Sequence, residues 1–249
     1  MQRRSSDLCP LIVGLALFVY TSSSLAKEPL LLMTDDGPPH IVQETDGGID
    51  IEITKRVLLR LNYKAAIAYA PLARGLLLVE HGEADLTVPT FFQRDSDNLF
   101  FSDAIIAYRP TVFSLKEYQF RFNDFADINN LNVSTFQGAT GYFGPEFEAM
   151  THVTNYTEHH DMSTLPSFLL QKKTDLVVLD YYIFYYFLRQ HHTDSALGLI
   201  QVHPLIPPVT AHVGFHSKAL RDAFNKELYR FLQEGRDKAI IRQYIGNVE

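Results

Sequence analysis

The sequence contains no tryptophan and a single cysteine, Cys9, near its amino terminus. One cysteine excludes an intrachain disulfide, so the fold must depend on its apolar core for stability. The 22 Lys and Arg residues form no cluster and are outnumbered by 29 Asp and Glu residues, which predicts neither a nucleic-acid partner nor an anionic membrane surface. P-loop, GxSxG and Gly-rich dinucleotide motifs are also absent, and no cofactor is expected.

Two histidine pairs, at 159–160 and 191–192, are the most evident candidates for metal ligands. Adjacent residues of a helix or strand point apart, whereas zinc sites favour i, i+4 spacing or added carboxylates. The sequence therefore predicts no metal site.

The amino terminus has the pattern of a secretory signal peptide. Arg3 and Arg4 precede an apolar run at 11–20, and small residues follow up to Ser24-Leu25-Ala26. The run is too short to span a bilayer, although a membrane anchor is the alternative. Cys9 precedes the run and so cannot carry the lipid of a bacterial lipoprotein. We therefore predict a signal peptide at 1–26 and a periplasmic protein that is not lipid-anchored.

Strands and helices alternate along the rest of the chain, which predicts parallel sheets. The first half is interpreted as strand 30–34, a helix opening at Gly47-Gly48 and capped by Asp50, strand 62–70, helix 72–81 and strand 85–88. The second half is interpreted as strand 131–136, a turn at 137–141, helix 143–150, a strand near Val153, helix 163–172, strand 175–179 and an aromatic helix from Tyr181. Extended stretches at 107–115 and 209–216 and two closing helices at 220–233 and 238–244 complete the pattern.

Two α/β halves joined by two extended stretches predict two lobes. Lobe 1 is expected to comprise residues 27–112 plus 209–249, and lobe 2 residues 113–208. Open α/β sheets bind ligands at the carboxyl ends of their strands, and domain interfaces are favoured pocket sites. A ligand cleft is therefore predicted between the lobes.

Six segments in register resemble the periplasmic solute-binding proteins of family 3, the polar amino-acid receptors of ABC importers. The segments are TDDGPPH (34–40), GGIDIEITKRVLLRL (47–61), GEADLTVPTFFQRDSDNLFFSD (82–103), LNVSTFQGATGY (131–142), KKTDLVVLD (172–180) and FNKELYRFLQEGRDKAIIRQYI (224–245). The resemblance implies an α/β type II periplasmic-binding-protein fold with two lobes that close over a small polar solute by a hinge. It further implies a monomer that delivers the solute to an ABC permease or to a sensor protein.

The resemblance assigns roles to five residues of the cleft. Arg94 would hold a ligand carboxylate with its planar, bidentate guanidinium. Thr90 would supply a hydroxyl and Phe91 an apolar wall. From the other lobe, the turn at Thr140 would offer backbone N–H groups to an anion, and Asp180 would pair with an ammonium group.

Four more residues are predicted to bind the ligand because of their positions in the sequence: His40, Asp36, Tyr142 and Arg74. His40 stands where the family has an aromatic residue after the Pro-Pro turn, and Arg74 would favour a second anionic group. The loop that contains Arg94 also departs from the family pattern. Phe91 occupies the position where the family usually has a threonine, and Thr90 lies one position earlier.

Alternatives remain for three of these assignments. Arg94 as a surface residue would pair with Asp95 or Asp97. Asp180 is also suited to cap the helix that follows it, and Thr140 is an ordinary turn residue.

Two other functions are compatible with the sequence. A few proteins that resemble the family are enzymes, such as cyclohexadienyl dehydratases, and such chemistry needs a general acid or base in the cleft. The candidates by position are Asp35, Asp36, His40 and Glu146, but none is distinguished by its pattern, and an enzyme is not expected. The third function is a ligand sensor for a signalling receptor.

Overall fold

A computed structural model of the chain describes residues 28–91 and 96–248. These residues form eleven β-strands and eight α-helices. The strands are β1 (Leu30–Thr34), β2 (Ala65–Tyr69), β3 (Leu86–Thr90), β4 (Phe100–Phe101), β5 (Ile106–Tyr108), β6 (Pro110–Leu115), β7 (Asn132–Phe136), β8 (Asn155–His159), β9 (Leu176–Asp180), β10 (Ile200–His203) and β11 (Val209–Phe215). The helices are α1 (Ile49–Arg60), α2 (Leu72–Glu80), α3 (Ala139–Phe143), α4 (Pro145–Thr151), α5 (Leu165–Leu170), α6 (Tyr181–His191), α7 (Lys218–Gln233) and α8 (Arg236–Ile245).

Within these two ranges, no helix combines the length and the apolar character needed to cross a bilayer. The predicted signal peptide lies outside the described residues, so its assignment stays a prediction.

The strands form two mixed sheets. In the first, the order is β2-β1-β3-β11-β4, with β5 also paired to β11. In the second, the order is β10-β6-β9-β7-β8. The strands that precede crossover helices pair in parallel, whereas β11 is antiparallel to β3 and β6 is antiparallel to β9. Parallel pairing, predicted from the alternating strands and helices, is confirmed for β1, β2, β3, β7, β8 and β9. The two extended stretches predicted as connections supply β6 and β11, and each of these strands runs in the opposite direction because it enters its sheet from the other lobe.

The chain passes between the sheets at two points. The extended stretch predicted at 107–115 is divided at Arg109, since β5 pairs in the first sheet and β6 in the second. The second passage is at 204–208, between β10 and β11. Pro110 already pairs with Asp180 in the second sheet, two residues before the predicted lobe boundary. The predicted boundaries themselves stay predictions.

One apolar core cluster extends through both halves of the molecule. It includes Leu32 of β1, Phe113 of β6 and Phe184 of α6, and the last two rings stack with centroids 3.8 Å apart. Helix α6 packs against α8, and the Tyr181 hydroxyl donates to the Val248 carbonyl at 2.9 Å. The aromatic helix thus joins the lobes through shared packing.

The start of α1 requires glycine. Gly48 is the N-cap residue with φ of 109°, and a Cβ there would lie 2.3 Å from the His40 carbonyl oxygen. The predicted cap at Asp50 is wrong, because Asp50 lies within the first turn and is fully buried. This close approach fixes the segment around His40 against the helix, where the Asp50 N–H donates to the His40 carbonyl at 3.1 Å.

Two other elements differ from the prediction. The helix predicted at 143–150 is divided into α3 and α4 by Gly144, whose φ of 87° interrupts the helix. Strand β10 was not predicted, because its polar residues Gln201 and His203 weaken the apolar pattern and its pairing with β6 spans a long stretch of sequence.

Candidate functional site

A cavity of about 370 Å³ lies between the two sheets. Five aromatic side chains and two carboxylates stand out among its walls, and most of the remaining lining is aliphatic. The described lining residues are Asp36, Phe91, Tyr108, Pro110, Phe136, Tyr142, Phe143, Met162, Leu179, Asp180 and Ile183.

The walls come from strand ends of both lobes. Phe136 is the last residue of β7 and Asp180 the last of β9, while Tyr108 ends β5 and Phe91 follows β3. The Phe91 and Tyr108 rings meet edge to face with centroids 4.9 Å apart. The cavity therefore occupies the place where α/β sheets bind ligands.

A buried polar cluster joins the lobes beside this cavity; we call His40, Asp50, Tyr108 and Asp180 the inter-lobe cluster. His40 is 1% exposed. Its Nδ1 lies 2.9 Å from Oδ1 of Asp50, and its Nε2 lies 3.3 Å from Oδ1 of Asp180 in the other lobe. The Tyr108 hydroxyl donates to Oδ2 of Asp50 at 2.9 Å, and its ring stacks on His40 at 3.6 Å.

The charge of His40 follows from its neighbours. Burial lowers the pKa of His40, but the carboxylates of Asp50 and Asp180 outweigh burial and raise the pKa to about 9. At neutral pH the ring is therefore protonated, and both of its N–H groups donate to carboxylates. Burial and the charge of Asp50 also raise the pKa of Tyr108 well above its usual value, so Tyr108 stays a neutral donor.

Asp180 both lines the cavity and caps a helix. Its Oδ1 accepts from the N–H groups of Tyr182 at 2.8 Å and Ile183 at 3.2 Å, and its Oδ2 accepts from Arg109 N–H at 2.6 Å. The alternative interpretation of Asp180 as a helix cap is confirmed. Its predicted role towards a ligand stays a prediction.

The predicted carboxylate partner, Arg94, lies outside the described residues. Its role is therefore a prediction that rests on the sequence alone. Asp36, Phe91 and Tyr142 lie in the cavity walls, and their predicted roles towards a ligand stay predictions.

Besides His40, three other predicted residues are not among the described residues that line the cavity. The Thr90 hydroxyl donates to the His212 carbonyl at 3.1 Å, and Arg74 is exposed on α2. Thr140 lies in the first turn of α3, a helix whose amino-terminal N–H groups already have an acceptor.

That acceptor is Glu158 of β8, which takes the place of an external anion. The Gly138 N–H donates to its Oε2 at 2.8 Å, and the Tyr156 hydroxyl donates to its Oε1 at 2.7 Å. Hydrogen bonds from the backbone N–H of Gly138 and from Tyr156, with further ones from Thr140 and Ala139, lower the pKa of Glu158. The anion-binding turn predicted from the sequence is thus occupied by the protein's own carboxylate.

The acid–base candidates of the enzyme alternative are dispersed. Asp36 lines the cavity, whereas His40 is buried behind it. Glu146 lines a different cavity, of about 490 Å³, with Asp124 and Val153, and Asp35 is exposed.

The sequence-based reasoning missed Asp50 and Tyr108 as site residues. Asp50 interrupts the apolar run of α1 between Ile49 and Ile51, all three of which are fully buried. The signal available in the sequence was a carboxylate between two isoleucines, because a carboxylate that is buried with such neighbours needs a partner.

The chain matches no protein-family model and no curated protein sequence. It is similar in structure to a polar amino acid ABC uptake transporter substrate-binding protein from Streptococcus thermophilus, with a TM-score of 0.69 and 16% identity over 88% of this chain and 86% of that one. It is similar to the unliganded, open L-cystine solute receptor of Neisseria gonorrhoeae, with a TM-score of 0.66 and 14% identity over 88% of this chain and 93% of that one. An ancestral cationic amino acid solute-binding protein gives a TM-score of 0.67 and 14% identity over 87% of this chain and 95% of that one.

At these identities the likeness concerns the fold. The two-lobed type II periplasmic-binding-protein fold expected from the sequence is confirmed. The neighbours also agree with the family that the six sequence segments resemble.

Proposed function

We propose that this chain belongs to the solute-binding proteins that its sequence resembles, and that it captures a small organic solute between its lobes. The observation that carries the proposal is the cavity of about 370 Å³ whose walls come from both sheets. Ligand pockets of roughly 300–1,000 Å³ with mainly apolar and aromatic walls are typical of small-molecule sites.

The two passages of the chain between the sheets, at Arg109 and at 204–208, are the places for a hinge. Rotation there would separate Phe91 and Tyr108 on one wall from Phe136 and Asp180 on the other. A solute that contacts both walls binds the closed form better than the open form, and so shifts the population towards closure.

We further propose that the protein acts outside the cytoplasm and delivers its solute to a membrane permease. The predicted signal peptide at 1–26 supports export. The structural neighbours that are named as ABC-transporter binding proteins or solute receptors support delivery. Co-purification with a permease that is encoded near the gene for this chain tests this step. The amount of permease recovered should depend on the added solute.

A ligand that occupies the cavity is expected to stabilise the protein. At a hundredfold excess over the dissociation constant, the gain in free energy of unfolding is about 2.7 kcal/mol. Thermal unfolding in the presence of amino acids, dicarboxylates, aromatic acids, amines and quaternary ammonium compounds measures it. Recovery of the bound compound unchanged, by mass spectrometry, separates binding from the lyase activity of the enzyme alternative.

The position of the site is tested by a matched pair of variants. Tyr142 is 51% exposed in the cavity wall, and Tyr229 is 66% exposed on α7. Tyr142→Ala should weaken binding about fivefold, because an aromatic contact is worth about 1 kcal/mol, whereas Tyr229→Ala should leave binding unchanged. Binding that is equal in both variants, or no binding by any compound class, would contradict the proposed site.

A further inference from the structure

We propose that the solute carries an apolar body, an aryl ring or a branched alkyl group, which enters the cavity while its polar head group stays at the mouth. This inference rests on the proposed function of the same cavity and names the class of its ligand. It departs from the family resemblance, which implies a small polar solute. The distribution of free polar groups over the described walls carries it.

The described walls are mainly apolar. Among these residues, only Asp36 and Asp180 have neither an aromatic nor an aliphatic side chain. Leu179 and Ile183 contribute hydrocarbon, and Pro110 brings no backbone N–H to the wall. A polar body buried here would lose its hydrogen bonds to water without replacement, whereas an apolar body gains from burial.

Asp180 uses its carboxylate within the protein. Its Oδ1 accepts from His40 Nε2 and from the N–H groups of Tyr182 and Ile183. Its Oδ2 accepts from the Arg109 N–H at 2.6 Å. Because a carboxylate has about four acceptor sites, these donors leave Asp180 little capacity for a polar group of the solute.

Tyr108 adds ring surface to the wall rather than a hydroxyl. Its hydroxyl donates to Oδ2 of Asp50 at 2.9 Å. His40 stacks on one face of the ring, with centroids 3.6 Å apart, and Phe91 meets the ring edge to face. The polar end of Tyr108 is therefore satisfied by the protein, and a solute contacts only hydrocarbon there.

Three rings of the opposite wall support one another. Phe136, Tyr142 and Phe143 pack edge to face, with centroids 5.2 to 5.8 Å apart. Together they form a continuous apolar surface that is held in place before a solute arrives. Such a surface suits contact with a hydrocarbon body, and its rigidity lowers the cost of ordering side chains on binding.

The free polar groups lie on the solvent side of the cavity. Asp36 and Tyr142 are both exposed wall residues. Asp36 Oδ1 accepts from the Gln43 N–H at 3.2 Å, and the carboxylate is otherwise open to solvent and to a donor of the solute. A head group at this end keeps part of its water, so its charge is not fully desolvated.

The test compares pairs of compounds that share a head group and differ in the polarity of a ring of similar size. The pairs are phenylalanine with histidine, 3-phenylpropanoate with 3-(imidazol-4-yl)propanoate, and 2-phenylethylamine with histamine. Calorimetry on the full chain at pH 8 keeps the imidazole neutral. In each pair that binds, the phenyl compound is expected to bind about tenfold more tightly, with a negative heat-capacity change from apolar burial.

A matched pair of variants places this selectivity in the wall. Met162 lines the cavity, whereas Leu170 is not among its described lining residues, and both are partly buried against the same core cluster. Met162→Gln brings an amide into the wall and should weaken binding of the phenyl compound about threefold, leaving the imidazole compound unchanged. Leu170→Gln should leave both affinities unchanged.

A second wall variant adds no polar atom. Ile183→Ala removes apolar contacts and should weaken binding of the phenyl compound about threefold. A ratio of phenyl to imidazole affinity that neither Met162→Gln nor Ile183→Ala reduces would overturn the inference, because the wall would then play no part in selection.

The outcomes separate this inference from the proposed function. Imidazole compounds that bind as tightly as their phenyl partners, or binding confined to solutes without an apolar body, would overturn the inference but would support the proposed function. Silence of the folded protein towards these pairs and towards every class in the thermal-unfolding panel would overturn both.

Discussion

Replacing His40 with leucine is expected to lower the free energy of unfolding by about 3–5 kcal/mol. The leucine would leave Asp50 and Asp180 facing each other without the cation that now lies 2.9 Å from one and 3.3 Å from the other. Asp50 is fully buried, so its charge would lose its main partner with no access to water. Urea unfolding at neutral pH, with the midpoint and slope compared to the parent chain, measures the loss.

A matched control and a rescue variant make this expectation specific. His160 is exposed, and His160→Leu should change stability by less than about 0.5 kcal/mol. Adding Asp50→Leu to His40→Leu should restore part of the loss, since the uncompensated charge is then removed. A change below about 1 kcal/mol for His40→Leu alone would show that the inter-lobe cluster contributes little to stability.

Raising the pH from 6.5 to 9.5 is expected to remove about 3 kcal/mol of stability. The pKa of His40 is raised from 6.5 to about 9 in the folded protein, so the folded state holds its proton more tightly than the unfolded state does. The contribution is therefore complete below pH 6.5 and is lost as the pH rises through 9. A shift of this size corresponds to about 3 kcal/mol at 1.36 kcal/mol per unit.

Urea midpoints measured at intervals across this pH range test the expectation. Burial lowers the pKa of His203, so His203 titrates below the window. Tyrosines with a raised pKa, Tyr108 among them, add to the loss of stability only near pH 9.5, where tyrosine begins to ionise in the unfolded state. The decrease in stability between pH 6.5 and 9 should be absent in His40→Gln, which carries no titratable ring. A parent protein whose stability is flat between pH 6.5 and 9.5 would refute the protonated state of His40.

Local elements of the fold were predictable because their signals are local. β1 ends at a turn rich in Asp, Gly and Pro, and its predicted bounds are those of the structure. Helix α2 lies between Pro71 and Gly82, as predicted, although Pro71 is the N-cap residue rather than the first residue of the helix. The direction of β6 and β11 was not predictable in this way, since it depends on partners in distant parts of the chain.

The walls of the site were partly predictable for the same reason. Asp36, Phe91 and Asp180 follow or end strands, and the expectation that strand ends meet at a cleft placed them together. The inter-lobe cluster was not predicted as a unit, because His40 and Asp180 are separated by 140 positions in the sequence. The acceptor at α3 was missed because Glu158 becomes its neighbour only through the pairing of β7 with β8.

The bond between His40 and Asp180 also has a kinetic consequence. It links the lobes without any solute, so rotation of the lobes that opens the proposed cleft requires this buried contact to break. Association and dissociation then share one barrier. Stopped-flow binding should therefore show both rate constants increased in His40→Gln. An increase in the dissociation rate constant alone would contradict a shared barrier. The residence time of the solute is in that case set by a contact that the solute does not itself make.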